Sequence, residues 1–205
     1  MFTSTHLLRR RRFLPLFVTQ LFNAFNDNLY KTTMVLFVVY AVYNDESTEA
    51  TFSGLASGLF ILPFFLLSAL AGQLADMRDK ARIIRTVKLC EIGLMCIGAA
   101  GLYMAWQGTL VHGVAIPLLL LALFLTGVQS TFLGPIKYAI LPQHLKKDEV
   151  LAGTGLVEAG TYIAILAGTI LAGPLAVEHT GWAAIGIIVT ACIGYLVSRQ
   201  VPPAP

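Results

Sequence analysis

Charge is scarce in this chain. Asp, Glu, Lys and Arg make up only 12% of its 205 residues against 57% hydrophobic, and the mean hydropathy is +0.75. A soluble domain usually carries about a quarter charged residues, so this deficit excludes an ordinary water-solvated globule and points to lipid as the solvent. Cysteine is as sparse. Cys90, Cys96 and Cys192 form no CxxC pair and all fall inside apolar stretches. They read as small buried hydrophobes, which excludes a disulfide scaffold or a cysteine metal centre. There is no placed nucleophile–base pair and no phosphate-binding loop, so nothing suggests catalysis, a cofactor or a metal. The alternating pattern of a membrane barrel strand is missing too, so any spanning segments have to be helices.

What is present is a series of six long apolar stretches, at 13–43, 52–75, 82–107, 114–141, 150–174 and 180–198. A helical span needs about 20 mostly apolar residues, and each stretch supplies that within a residue. The fold class expected is therefore an all-α transmembrane six-helix bundle. A basic segment, 1–12, precedes it and a Pro-rich segment, 199–205, follows. Pro15 and Pro117 fall in first turns, Pro142 and Pro174 are expected to close spans four and five, and Pro63 and Pro135 to kink spans two and four. Pro202-Pro203-Ala204-Pro205 cannot be helical and reads as the start of a linker. Three helices followed by three of opposite direction would make an inverted repeat, with spans one and four lining a central cavity.

The few charges are placed unevenly. Arg9 to Arg12 precede the first span, Arg78, Lys80, Arg82 and Arg85 follow the second, Lys146 and Lys147 the fourth, and Arg199 the sixth. The connections 44–51, 108–113 and 175–179 contain no Lys or Arg. The positive-inside rule then puts both termini in the cytoplasm. No small-residue cleavage site follows Arg9–Arg12, so the cluster reads as a topology signal, not a signal peptide or a nucleic-acid arm. Trp106 and Trp182 fall near the outer ends of spans three and six, where an aromatic belt is expected.

Polar residues inside the spans carry the functional signal. Gln20, Asn23, Asp27 and Lys31 recur at helical spacing and form one stripe on span one, with Asn28 beside it. A charge near mid-span costs roughly 2.5–3.5 kcal/mol, so Asp27 must face protein or water. Lys31, one turn on, can pair with it as a bundle lock, or the two can serve a substrate or coupling ion. In span four Lys137 follows a Gly134-Pro135 break, and Thr126, Gln129 and Ser130 extend its polar face. Lys137 either lines the cavity or snorkels to the surface. Lys88 and Glu91 are three apart in span three and are expected to pair. Glu158 in span five is either a protonatable coupling group or the partner of a base on a neighbouring helix. Gly160, Ala164, Gly168 and Ala172 form a stripe of small residues suited to close helix packing. Between spans two and three, Gly72 permits a close crossing, Asp76 can cap a helix, and Lys80 and Arg82 can reach acidic groups across a gate.

That last connection, with Gly72, Asp76, Lys80 and Arg82, resembles the signature of the major facilitator superfamily, though Met77 stands where a base is usual. Within it, Phe25-Asn26-Asp27-Asn28-Leu29, Asp79-Lys80-Ala81-Arg82, Gly134-Pro135-Ile136-Lys137-Tyr138 and Leu141-Pro142-Gln143 look like the bacterial lysophospholipid transporters. The resemblance implies the N-terminal half of a twelve-helix transporter in the bacterial inner membrane, with a second six-helix half as its partner. It also implies flipping of lysophospholipid, chiefly lysophosphatidylethanolamine, between leaflets. The residues suit such a zwitterion: Asp27 for an ammonium and Lys31 or Lys137 for a phosphate, with Asn23, Asn28 and Gln129 as further substrate-binding candidates. Two rival expectations stand beside it, a proton-coupled small-solute transporter using Glu158 or Asp27, and a membrane anchor for a fused acyltransferase.

Overall fold

The computed structural model describes residues 6–204. Six long helices form the bundle: α1 (Leu14–Leu36), α2 (Glu46–Met77), α3 (Lys80–Trp106), α4 (Ile116–Ala139), α5 (Val150–Val177) and α6 (Thr180–Ser198). A π-helical segment, Phe37–Tyr43, prolongs α1, and another, Val111–Ala115, leads into α4. A helical turn, Leu141–His144, joins α4 to α5. Pro63 and Pro135 lie within α2 and α4, as expected. Pro174 does not close its helix: α5 runs on to Val177, because a proline in the last turn costs only local backbone bonds.

Five of the helices are long and apolar enough to cross a membrane. The exception is α1, whose Gln20, Asn23, Asn26, Asp27, Asn28 and Lys31 lower its hydropathy. Its polar residues do not have to meet lipid. Gln20, Asn23, Asn26 and Asp27 are buried, because α1 packs along α5 and α6 inside the bundle.

The helix pairs that pack most closely are α1 with α5, α2 with α4, and α3 with α6, followed by α1 with α6 and α3 with α4. Exchanging the first three helices for the last three maps this set onto itself. The packing is thus that of two equivalent three-helix units, as the inverted-repeat expectation requires. The small-residue stripe of α5 faces α1: Gly160, Ala164, Gly168 and Ala172 are all buried there, and a Cβ at Gly168 would come within 2.5 Å of the Phe25 carbonyl oxygen. The equivalent α2–α4 contact uses Gly127, whose Cα lies against the Phe60 carbonyl with no room for a side chain. In lipid, where water gives no hydrophobic drive, such backbone-to-backbone approach supplies the packing contacts.

The core is divided. One apolar cluster includes Leu29, Tyr30, Met34, Met95, Leu119 and Ile187; the other includes Leu7, Phe13, Leu16, Ile84, Leu133 and Val201. In α1, α3 and α4 the residues between the two are polar: Asn23, Asn26, Asp27, Lys88, Glu91, Thr126 and Gln129, all buried.

Around the second cluster the basic end of the bundle is tied together. Arg10 forms an ion pair with Glu149 at 2.7 Å, joining the N-terminal segment to the start of α5. The Pro-rich tail is non-helical, as expected, but it is not a free linker. Val201 and Ala204 are buried, Arg85 donates to the Val201 carbonyl at 2.6 Å, and the Lys80 and Ala204 backbones bond at 2.9 Å. Three further expectations are corrected. Asp79 caps α3 by accepting the Ala81 amide at 2.9 Å, while Asp76 is exposed. A Cβ added at Gly72 would meet nothing within 4 Å, so among the described residues no helix packs closely on it. Cys90 and Cys96 are exposed on the flank of α3, since a thiol is apolar enough to face lipid and need not be buried.

Candidate functional site

The polar layer reaches the surface of the bundle in one cleft of about 220 Å3, walled by α1, α2, α4 and α5. Gln20, Asn23, Asp27 and Asn28 come from α1, Phe60 and Phe64 from α2, Ser130 and Lys137 from α4, and Thr161 from α5. Helical spacing explains the α1 contribution: these residues lie along one side of the helix, where Gln129 and Ser130 of α4 bond Asn23 and Asp27.

Asp27 is held by hydroxyl and amide donors. Ser130 donates to its Oδ2 at 2.5 Å and the Asn23 amide donates to the same oxygen at 3.2 Å. The ion pair with Lys31, one of the two arrangements the sequence left open, is not formed. The Lys31 ammonium lies 5.4 Å from the centre of the Phe60 ring, a cation–π contact. One turn of helix brings two side chains near each other, but Phe60 of α2 offers the longer chain a second partner. The other oxygen of Asp27, Oδ1, is buried without a hydrogen-bond partner, as is Nε2 of Gln20.

Behind the cleft, Lys88 and Glu91 of α3 form an ion pair with no exposed side-chain surface, as their spacing led us to expect. Glu91 also accepts the Asn26 amide and the Gln129 amide, each at 2.9 Å. Lys88 and Gln129 both point donors at Asn23 Oδ1, at 3.4 and 3.3 Å. This fixes the Asn23 side chain: its oxygen accepts from behind, so its NH2 turns toward Asp27. Gly194 of α6 leaves room for the arrangement, since a Cβ there would lie 3.0 Å from the Lys88 ammonium. Gln129, expected on the substrate face, belongs to this inner shell and does not line the cleft.

At the edge of the cleft Lys137 donates to Glu158 at 2.9 Å, and Tyr138 donates to the same carboxylate oxygen. Glu158 is therefore the partner of a base on the neighbouring helix. Lys137 does not simply snorkel, because both its cleft position and its partner hold it inward. Of the loop residues, Lys80 is buried, and Arg82 is exposed and stands 3.7 Å from Asp79. Neither belongs to the cleft. The network adds Asn26, Phe60, Tyr138 and Thr161, which the sequence reading did not single out as site residues. Asn26 carried a signal, three residues from Asn23 in a segment of unusual polarity, and Tyr138 ended the Gly134-Pro135-Ile136-Lys137-Tyr138 motif.

Residues 16–203 match the Major Facilitator Superfamily. The chain belongs to that family. Its six helices and repeated three-helix packing are those of the N-terminal half of the family fold. The described helices and the family together make it a multi-pass membrane protein.

Among curated proteins the chain is similar to "Lysophospholipid transporter LplT" of Pectobacterium carotovorum, 27% identical over 181 residues, or 87% of this chain and 38% of that protein. The protein of that name from Cronobacter sakazakii is 28% identical over 90% of this chain and 41% of its own length. That from Photorhabdus laumondii is 29% identical over 76% and 34%. The chain thus spans between about a third and two fifths of the length of these relatives. No solved structure matches it.

Proposed function

We propose that the chain is the N-terminal half of a transporter that flips lysophospholipid, chiefly lysophosphatidylethanolamine, across the bacterial inner membrane, with both termini cytoplasmic. The observation that carries this reading is the charge balance of the polar layer. Asp27 and Glu91 bring two carboxyl groups and Lys88 one ammonium, and that ammonium is committed to Glu91. Asp27 faces the cleft with neutral donors on one oxygen and nothing on the other. A buried carboxylate in that position is matched by an incoming cation. The substrate ammonium binds Asp27, and Lys137, released from Glu158 or sharing it, receives the phosphate.

The relatives' name supports the lysolipid class, and Phe60 and Phe64 in the cleft suit an apolar chain beside the headgroup. A second six-helix half closes the open side of the cleft, and rocking of the two halves exposes it to each leaflet in turn. The protein acts by binding and conformational change, without catalysis.

The test is transport by the complete protein in proteoliposomes, following fluorescent lysophosphatidylethanolamine between leaflets. Saturable transfer supports the reading. Transfer of a small solute with no lysolipid movement overturns the substrate class. Reporter fusions after Val111 and at Arg199 should label opposite sides of the membrane, and same-side labelling removes the topology.

A further inference from the structure

A second cavity lies away from the polar cleft, between α3 and α6, which line no part of that cleft. Its volume is about 740 Å3, within the range of sites that hold small amphiphiles. The floor is made of small side chains, among them the buried Ala99 and Ala184. The rim is aromatic. Trp106 stands over Gly181, where a Cβ would meet its ring at 3.8 Å, and Trp182 extends from the first turn of α6. These are the 2 tryptophans of the sequence, and both border this one cleft.

Glu178 lines the cavity at its polar end, and the three connections at that end of the bundle contain no Lys or Arg. An apolar trough bordered by indoles, with a carboxylate where the helices leave the apolar layer, has the profile of an amphiphile. One apolar chain fits the trough, and a cationic headgroup fits the carboxylate and the indole faces.

We propose that the α3–α6 cleft binds a phospholipid with an ammonium-bearing, zwitterionic headgroup. An acyl chain fills the trough over Ala99 and Ala184, and the ammonium rests against Glu178 between Trp106 and Trp182. The site requires only that the helices lie in a bilayer, so it stands whether or not the transported substrate is a lysolipid.

The two indoles report on the site directly. The chain is reconstituted in phosphatidylglycerol vesicles containing either phosphatidylethanolamine with brominated acyl chains or, at equal mole fraction, phosphatidylglycerol brominated in the same way. Brominated chains quench indole fluorescence on contact. Selective binding gives roughly twofold greater apparent association for the brominated ethanolamine lipid, the scale of an exposed ion pair. Glu178→Gln should remove that excess, and Ala100→Phe, at an exposed position of the trough, should lower quenching by both lipids. Equal quenching by the two lipids in the unaltered chain means bulk lipid contact only and overturns the proposal. So does an excess that survives Glu178→Gln.

Discussion

Glu91 on α3 accepts a hydrogen bond from Gln129 on α4 at 2.9 Å, and both side chains are buried behind the cleft. Through Asn26 and Lys88 the same carboxylate reaches α1 and its own helix, so three helices meet at one group. Glu91→Gln keeps the size but leaves Lys88 as an uncompensated buried ammonium, a change that costs about 3–5 kcal/mol. The expected result is a lower melting temperature and less monodisperse protein in detergent. Lys88→Met combined with Glu91→Leu removes both charges and should recover most of the loss. A single Glu91→Gln variant that melts with the parent would show that the pair carries no structural weight.

Asp27 behaves differently because no ammonium is bonded to it: its hydrogen bonds come from Asn23 and Ser130. In the complete protein Asp27→Asn should leave the folded yield near normal, since Lys31 rests on Phe60 and is not stranded. Transport of lysophosphatidylethanolamine should fall to background. Adding Lys31→Met to that variant should not restore transport. Recovery in the double variant would make Asp27 and Lys31 a lock, against the arrangement seen here.

The helices were legible in the sequence because hydrocarbon imposes a length and forbids unpaired backbone; the stretch 180–198 is the helix Thr180–Ser198 itself. The residues of the polar layer were legible for the same reason, since Asp27 or Lys88 inside a span demands an explanation. Their partners were not. Lys31 could meet Asp27 on its own helix, yet the α2–α4 packing set Phe60 beside Lys31 and Ser130 beside Asp27. Local spacing predicts contacts along one helix, as it did for Lys88 and Glu91, but which face meets which is a property of three dimensions. The tail failed for a related reason: proline excludes helix but says nothing of docking, and the burial of Val201 depends on a groove built from distant residues.

Asp79 makes the tail sensitive to acid. Burial pushes its carboxyl up, but the amides of Ala204, Ala81 and Arg82 and the Arg82 guanidinium together hold it below the usual carboxylate range. A depressed folded value means the contribution is complete above the unfolded value of about 3.9 and is lost as the pH falls through the lower folded one. The tail should therefore stay docked at neutral pH and loosen only in strong acid. Hydrogen exchange at Lys80 and Ala204, compared between the parent and Asp79→Asn at each pH, checks this. The difference should be largest near neutrality and vanish in acid; a difference that grows in acid contradicts the sign.

The repeat in the packing gives the sharpest structural test. Gly168 of α5 abuts the Phe25 backbone of α1, and Gly127 of α4 abuts the Phe60 backbone of α2, so in each of the two matching helix pairs the second three-helix unit supplies the glycine and the first the carbonyl. In an exposed helix Gly→Ala gains up to about 1 kcal/mol from backbone entropy. At these two sites the new methyl meets a main-chain carbonyl that cannot rotate away, and overpacking of this kind costs about 1–3 kcal/mol. Gly168→Ala and Gly127→Ala should thus each lower thermal stability, and by similar amounts. Gly155→Ala, at an exposed position of α5 with nothing within 4 Å of the new methyl, should be neutral or stabilising. If all three variants behave alike, backbone propensity governs these glycines and the close approach of the helices does not. If Gly168→Ala alone is damaging, the α1–α5 contact carries the bundle and the two matching contacts between the three-helix units are unequal in strength.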